Sequence, residues 1–116
     1  IVEVGLDFQV GLSGSKLSSA QRQKVSLARA LVRSPDILIL NEATSALDSG
    51  SQTKIMSNII TSTKGKNLLW VLQRASLAGA FDRVMVMSGG RVVETGSFEE
   101  LQKKADSTLN NLLRDE

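Results

Sequence analysis

The sequence predicts an α/β fold in which parallel strands are flanked by helices, followed by a β-hairpin and a terminal helix. Three observations predict it. Helical and extended patterns alternate along most of the chain. Residues 37–40 and 68–72 are apolar at every position, as expected of strands covered on both faces of a parallel sheet. Gly89-Gly90, set between two β-prone runs, is a hairpin signal.

Taken in order, residues 1–10 are a short mixed segment, expected as a helical turn or two, and residues 11–15 are a Gly/Ser loop. Ser18 with Gln21 three positions later matches a capping box, and Val25, Ala28, Leu31 and Val32 continue at helical spacing. This helix should stop at Ser34, because Pro35 drives its predecessor out of the helical region. Arg29 and Arg33 suit the negative end of its dipole. After strand 37–40, a second helix starts near Asp48 and is expected to bury Ile55, Met56, Ile59 and Ile60. Gly65-Lys66 turns the chain into strand 68–72, and a short helical stretch over residues 76–81 leads to strand 83–87. Residues 91–94 return antiparallel, and Ser97 with Glu100 makes a second capping box. Beyond a break near Asp106, Leu109, Leu112 and Leu113 give a last apolar stripe. There is no internal repeat, low-complexity tract or linker.

Composition narrows the function. At 116 residues the chain is long enough to bury a core, and 41% apolar residues is an ordinary globular share. A net charge of +2 and only 3% aromatic residues argue against a nucleic-acid partner. The absence of cysteine excludes disulfides and thiolate metal sites. The absence of histidine removes the usual zinc ligand and the commonest general base. No apolar run approaches the ~20 residues that span a bilayer, and no secretory signal opens the chain. The segment reads as soluble, and its start without methionine suits a piece of something longer.

Three short stretches carry chemistry. The helix start at Leu17-Ser18-Ser19-Ala20-Gln21 offers backbone N–H groups without internal partners, at the positive end of a dipole. Such an end suits a terminal phosphate, and Ser18 can add a hydroxyl donor. Taken alone, it is also an ordinary capped helix. Asn41-Glu42 stands just past strand 37–40, where ligands of open parallel sheets collect. Ser45-Ala46-Leu47-Asp48 is a polar turn before a helix. The run Gly11-Leu12-Ser13-Gly14-Ser15-Lys16 superficially resembles a P-loop but breaks the G-x-x-x-x-G-K-[ST] pattern, and no P-loop occurs elsewhere.

In this order, within about thirty residues, the three stretches resemble the second half of the nucleotide-binding domain of an exporter-type ABC transporter. The resemblance covers residues 14–103, the tail at 89–101 matching the exporter hairpin followed by Gly-x-x-x-Glu-Leu. It implies a partial P-loop NTPase core. Residues 1–34 would belong to the helical subdomain and residues 35–116 to the RecA-like core. Leu17, Ser18, Ser19, Ala20 and Gln21 occupy the signature, which faces ATP held by a second nucleotide-binding domain in a head-to-tail dimer. Glu42 takes the place of the catalytic glutamate after Walker B, and Asn41 that of the residue helping to hold Mg²⁺. Ser45, Ala46, Leu47 and Asp48 match the D-loop. Gln73 stands where the family places a histidine touching the terminal phosphate.

The resemblance also implies ATP and Mg²⁺ as cofactors, both needing the missing P-loop half. A transmembrane domain would be a further partner, placing the chain at the cytoplasmic face of a membrane. Of Arg22, Lys24, Arg29 and Arg33, most would be the solvated face of the signature helix, and some could approach that partner. Strand 68–72 should pair with strand 37–40, while strand 83–87 should stand roughly two strand spacings away (~10 Å).

Three departures occur together. Ser19-Ala20 replaces Gly-Gly, which narrows the approach to the backbone. Asn41 is neutral and gives a metal no charge, and Gln73 cannot become cationic. Two readings follow: an ATPase domain powering export, or a degenerate module that binds nucleotide or partner without efficient turnover. A DNA-repair ATPase with the same core is opposed by the run Ala43-Thr44-Ser45-Ala46-Leu47-Asp48 and by the lack of coiled-coil heptads.

Overall fold

Both reciprocal bonds of the first capping box form. The Ser18 Oγ accepts the Gln21 N–H at 3.1 Å, and the Gln21 Oε1 accepts the Ser18 N–H at 2.8 Å. This start is part of a computed structural model that describes residues 5–116. The chain divides into two units, one ending at Leu69 and one running from Trp70 to Glu116.

In the first unit, residues 5–10 contain a turn, closed by Phe8 N–H on the Gly5 carbonyl at 3.1 Å, and no helix. The helical turn expected there is absent from the described part, and residues 1–4 lie outside it. Residues Leu12–Gly14 form a 3-10 turn rather than a plain loop, with Gly11 and Gly14 at φ 77° and 71°. Helix α1 then spans Ser19–Val32. It ends as Pro35 dictates: Ser34 turns to a φ of 46°, and Lys66 Nζ donates to the Ser34 carbonyl at 3.0 Å.

The inner face of α1 keeps Leu31 of the expected stripe but not Val25, Ala28 or Val32. Leu27 is buried and Ala20, Gln23, Ala30 and Leu31 are half-buried, whereas Val25, Ala28 and Val32 face outward. Both sets recur at helical spacing, so periodicity does not choose between them. The inner set includes a glutamine because its amide has partners there.

Strand β1, Ile37–Asn41, pairs with β2, Asn67–Val71, in a two-stranded sheet, as expected. Between them runs α2, Ser49–Ser62, capped by Asp48, whose Oδ1 accepts the Ser51 N–H at 2.9 Å. Met56 and Ile59 are buried, while Ile55 and Ile60 are half-buried. Cover on both faces of β1 is not found: Leu38 and Leu40 are buried, but Ile37 and Ile39 remain 62% and 63% exposed. A run apolar at every position thus has one largely exposed face among the described residues.

The second unit begins within β2. The Trp70 ring meets Phe81 edge-on, with centroids 6.0 Å apart. The helical stretch is a 3-10 helix over Ala75–Ala80, followed by β3, Val84–Ser88, and β4, Arg91–Gly96. Strands β3 and β4 form an antiparallel hairpin whose register slips between Val86 and Met87. Gly89 and Gly90 turn it at φ 56° and 75°, the two left-handed angles of a type I′ turn. Strand β3 is not a hydrogen-bonded neighbour of β2.

Helix α3, Phe98–Gln102, starts in the second capping box, and α4, Thr108–Arg114, follows the break. Ala78, Val84, Val86, Leu101 and Leu109 form the core, with Leu72, Ala75, Phe98 and Leu113 packed against it. Leu112 was grouped with Leu109 and Leu113 by spacing but is exposed, because a helix this short turns only one narrow side inward.

Candidate functional site

The site in the first unit starts at the tip of α1. Leu17 is buried and anchors the turn, Ser18 and Ser19 are exposed, and Ala20 and Gln21 are half-buried. The capping box engages the Gln21 N–H. Among the described residues the N–H groups of Ser19 and Ala20, in the first helical turn, have no such cap and point along the free end of the helix. Because Ser18 Oγ accepts, its own hydrogen stays available to a ligand oxygen.

Arg22 supports this tip. Its Nη1 donates to the Leu17 carbonyl at 2.9 Å and the Gly14 carbonyl at 3.4 Å, and its Nη2 donates to Ser19 Oγ at 3.2 Å. Exposed, as the solvated face of this helix leads one to expect, it also straps the preceding turn to the helix. The reason is geometric: a guanidinium one turn into the helix can reach back to its unsatisfied flank.

At the other element, β1 ends on exposed Asn41, and Glu42 adopts a left-handed backbone at φ 49°. A carboxylate residue has no glycine-like freedom there, so the surrounding bonds must hold it. The Ser45 N–H donates to the Glu42 carbonyl at 3.1 Å. Thr44 is buried at 1% exposure and accepts the Gln52 amide at 3.1 Å.

Gln23 joins the two elements. Its Oε1 accepts the Ala46 N–H at 2.9 Å, and its Nε2 donates to Ser45 Oγ at 3.0 Å and to the Glu42 carbonyl at 3.5 Å. Sequence reading gave Gln23, at the end of the run from Leu17, no role of its own. The contact joins positions some twenty residues apart, and no spacing rule signals it. A cleft of about 330 Å³ lies between the two elements, lined among others by Gln23, Leu27, Asn41 and Glu42.

The structure therefore brings the Ser18–Gln21 tip's helix together with Glu42, Ser45 and Ala46. Leu47 is half-buried, and Asp48 serves as the cap of α2. Hydrogen bonds from Ser51, first its hydroxyl and then its N–H, hold the Asp48 carboxyl below its usual 3.8. Gln73 belongs to the second unit, exposed two residues past the end of β2. Its neighbour Arg74 pairs through Nε with Glu116 at 3.1 Å. For Mg²⁺ the fit is poor on this chain's own donors: Asn41 is neutral, and no group of three or more acidic or imidazole side chains gathers among the described residues.

The family profile described as ABC transporter matches residues 3–45. The chain is 47% identical to the ATP-dependent permease MDL1 of Candida albicans over 114 residues, which is 95% of this chain and 17% of that protein. It is 44% identical to the ATP-dependent lipid A-core flippase of Burkholderia thailandensis over 97 residues, 84% of this chain and 16% of that one. The chain thus spans about a sixth of the length of these curated relatives. A solved bacterial Atm1-family ABC exporter with ATP bound superposes with a TM-score of 0.86 at 32% identity, covering 94% of this chain and 19% of the exporter chain. The α/β fold is that of this exporter's nucleotide-binding domain. The chain belongs to the ABC transporter family, as a segment of an exporter-type nucleotide-binding domain.

Proposed function

We propose that this chain supplies, in a head-to-tail dimer, the phosphate-facing tip of one ATP site and the carboxylate side of the other, and that the pair of sites powers export across a membrane. The observation that carries the reading is the exposed tip of α1, where capped and strapped backbone leaves the Ser19 and Ala20 N–H groups and the Ser18 hydroxyl facing outward. They bind the terminal phosphate of ATP gripped by a second nucleotide-binding domain. Glu42 orients the attacking water and takes its proton. Ser45, Ala46, Leu47 and Asp48 cross to the second domain, and Gln73 bonds the phosphate where a histidine would otherwise stand. Residues 1–34 act as part of the helical subdomain and residues 35–116 as part of the catalytic core. ATP is used with Mg²⁺, held by groups outside this chain, since Asn41 brings no charge. A transmembrane domain is the coupled partner, and the site works at the cytoplasmic face. No described helix is long and apolar enough to cross a membrane.

A second reading is favoured by Ser19-Ala20, Asn41 and Gln73: a clamp that binds nucleotide without efficient turnover. Steady-state ATP hydrolysis by the full-length protein decides between them. The first reading expects turnover that falls roughly 10²-fold in Glu42→Gln, the lower bound for losing a positioned base. Equal rates in the two proteins remove Glu42 from catalysis, and turnover no faster than background in both supports the clamp.

A further inference from the structure

We infer that Gln23 is the positioning residue that ties the carboxylate-bearing turn to the phosphate-facing helix. This deepens the functional reading above and rests on it. The turn from Glu42 to Ala46 has no regular structure of its own, yet Glu42 sits at a left-handed φ of 49°, which something must enforce. Two anchors reach the turn. From α2, Gln52 holds Thr44 inside. From α1, Gln23 spends both ends of its amide: the oxygen on the Ala46 N–H at 2.9 Å, the nitrogen on Ser45 Oγ at 3.0 Å and the Glu42 carbonyl at 3.5 Å.

The α1 anchor has a property that the α2 anchor lacks. Gln23 lies in the same opening turns of α1 as Ser18, Ser19 and Ala20. A phosphate docking on the tip and the carbonyl that sets the Glu42 backbone are thus fixed to one rigid helix. With both ends of its amide committed to the turn, Gln23 acts on phosphate and water only through Glu42. It sets where the Glu42 carboxylate stands once the tip is engaged, and it holds Ser45 and Ala46 in register with the same event. An amide is suited to this, because a single planar group both donates and accepts without adding charge beside Glu42.

The test compares Gln23→Met, of similar length but with neither bond, and Gln23→Glu, which keeps the acceptor for Ala46, in the full-length protein. ATP hydrolysis in Gln23→Met should lose about tenfold or more in kcat, as expected for a misplaced catalytic group. KM for ATP should stay within about twofold, because the defect lies after binding. Hydrogen exchange at the Ala46 amide should quicken about tenfold in Gln23→Met, matching loss of its one acceptor. Gln23→Glu should keep the Ala46 protection and recover part of kcat. A Gln23→Met protein with wild-type kcat and unchanged Ala46 exchange overturns the inference, as does a loss that falls on KM alone. Should Gln23→Met fail to fold, Gln23→Glu decides: retained Ala46 protection with intermediate kcat supports the clamp, and lost protection overturns it. If the wild-type protein hydrolyses no ATP, the functional reading fails. The exchange measurement then decides the clamp by itself, faster exchange supporting it and unchanged exchange overturning it.

Discussion

Ser18 does two things with one oxygen: its lone pairs cap the Gln21 N–H, and its hydrogen is left for a ligand. The two roles respond differently to substitution. Ser18→Ala removes the cap and should lower the local stability of the first turn of α1 by about 1 kcal/mol, whereas Ser18→Gly should lower it by only a few tenths. Hydrogen exchange at the Gln21 amide measures this directly, and equal protection in all three proteins would show that the cap carries no weight. Glu42 shows the opposite relation, a residue placed against its backbone preference and held by neighbours. At this scale the sequence made the tip, the acid and the turn legible, because each sits in a local pattern with a known physical reason. Gln23 was illegible, since its partners are far along the chain and a glutamine on a charged helix reads as solvated surface.

Helix starts and strand faces follow the same division between local and distant information. Both capping boxes and the Gly89-Gly90 turn form as predicted, since each is decided within a few residues. The inner face of α1 and the cover over β1 depend on what packs against them, and apolar spacing could not supply that. Another distant contact governs α4. Its first N–H groups are met by Glu94 of the hairpin, at 2.6 Å from Thr108 and 3.1 Å from Leu109. Those bonds, the Thr108 N–H first, hold the Glu94 carboxyl below its ordinary 4.5. A carboxyl depressed on folding contributes stability above the unfolded value, and that contribution is lost as pH falls through the folded one. Protection of the Thr108 and Leu109 amides, taken relative to free-peptide exchange at the same pH, should therefore fall as the solution is acidified below pH 4.5, and Glu94→Gln should show low protection that changes little with pH. A Glu94→Gln profile that still tracks acid would assign the effect to another group.

For the whole molecule, the decisive fact is how much apolar surface stays uncovered. Ile37 and Ile39 on β1, and Met85, Met87, Val92 and Val93 on the hairpin, are all exposed. Patches of this kind on a protein in water attract other chains. We expect the 116-residue chain, prepared by itself, to associate at micromolar concentration, and Ile37→Thr with Ile39→Thr to shift it toward monomer. Light scattering checks this, and a monodisperse monomeric wild type would refute it.

The guanidinium strap at the start of α1 has a consequence for which changes this segment tolerates. Arg22 satisfies two carbonyls and a hydroxyl with a rigid fork. A lysine would keep the positive charge but, with a compact ammonium head, would reach one of those oxygens at a time and release the others. Position 22 thus depends on shape as well as charge, and a charge-preserving exchange there would slacken the corner from which the helix launches.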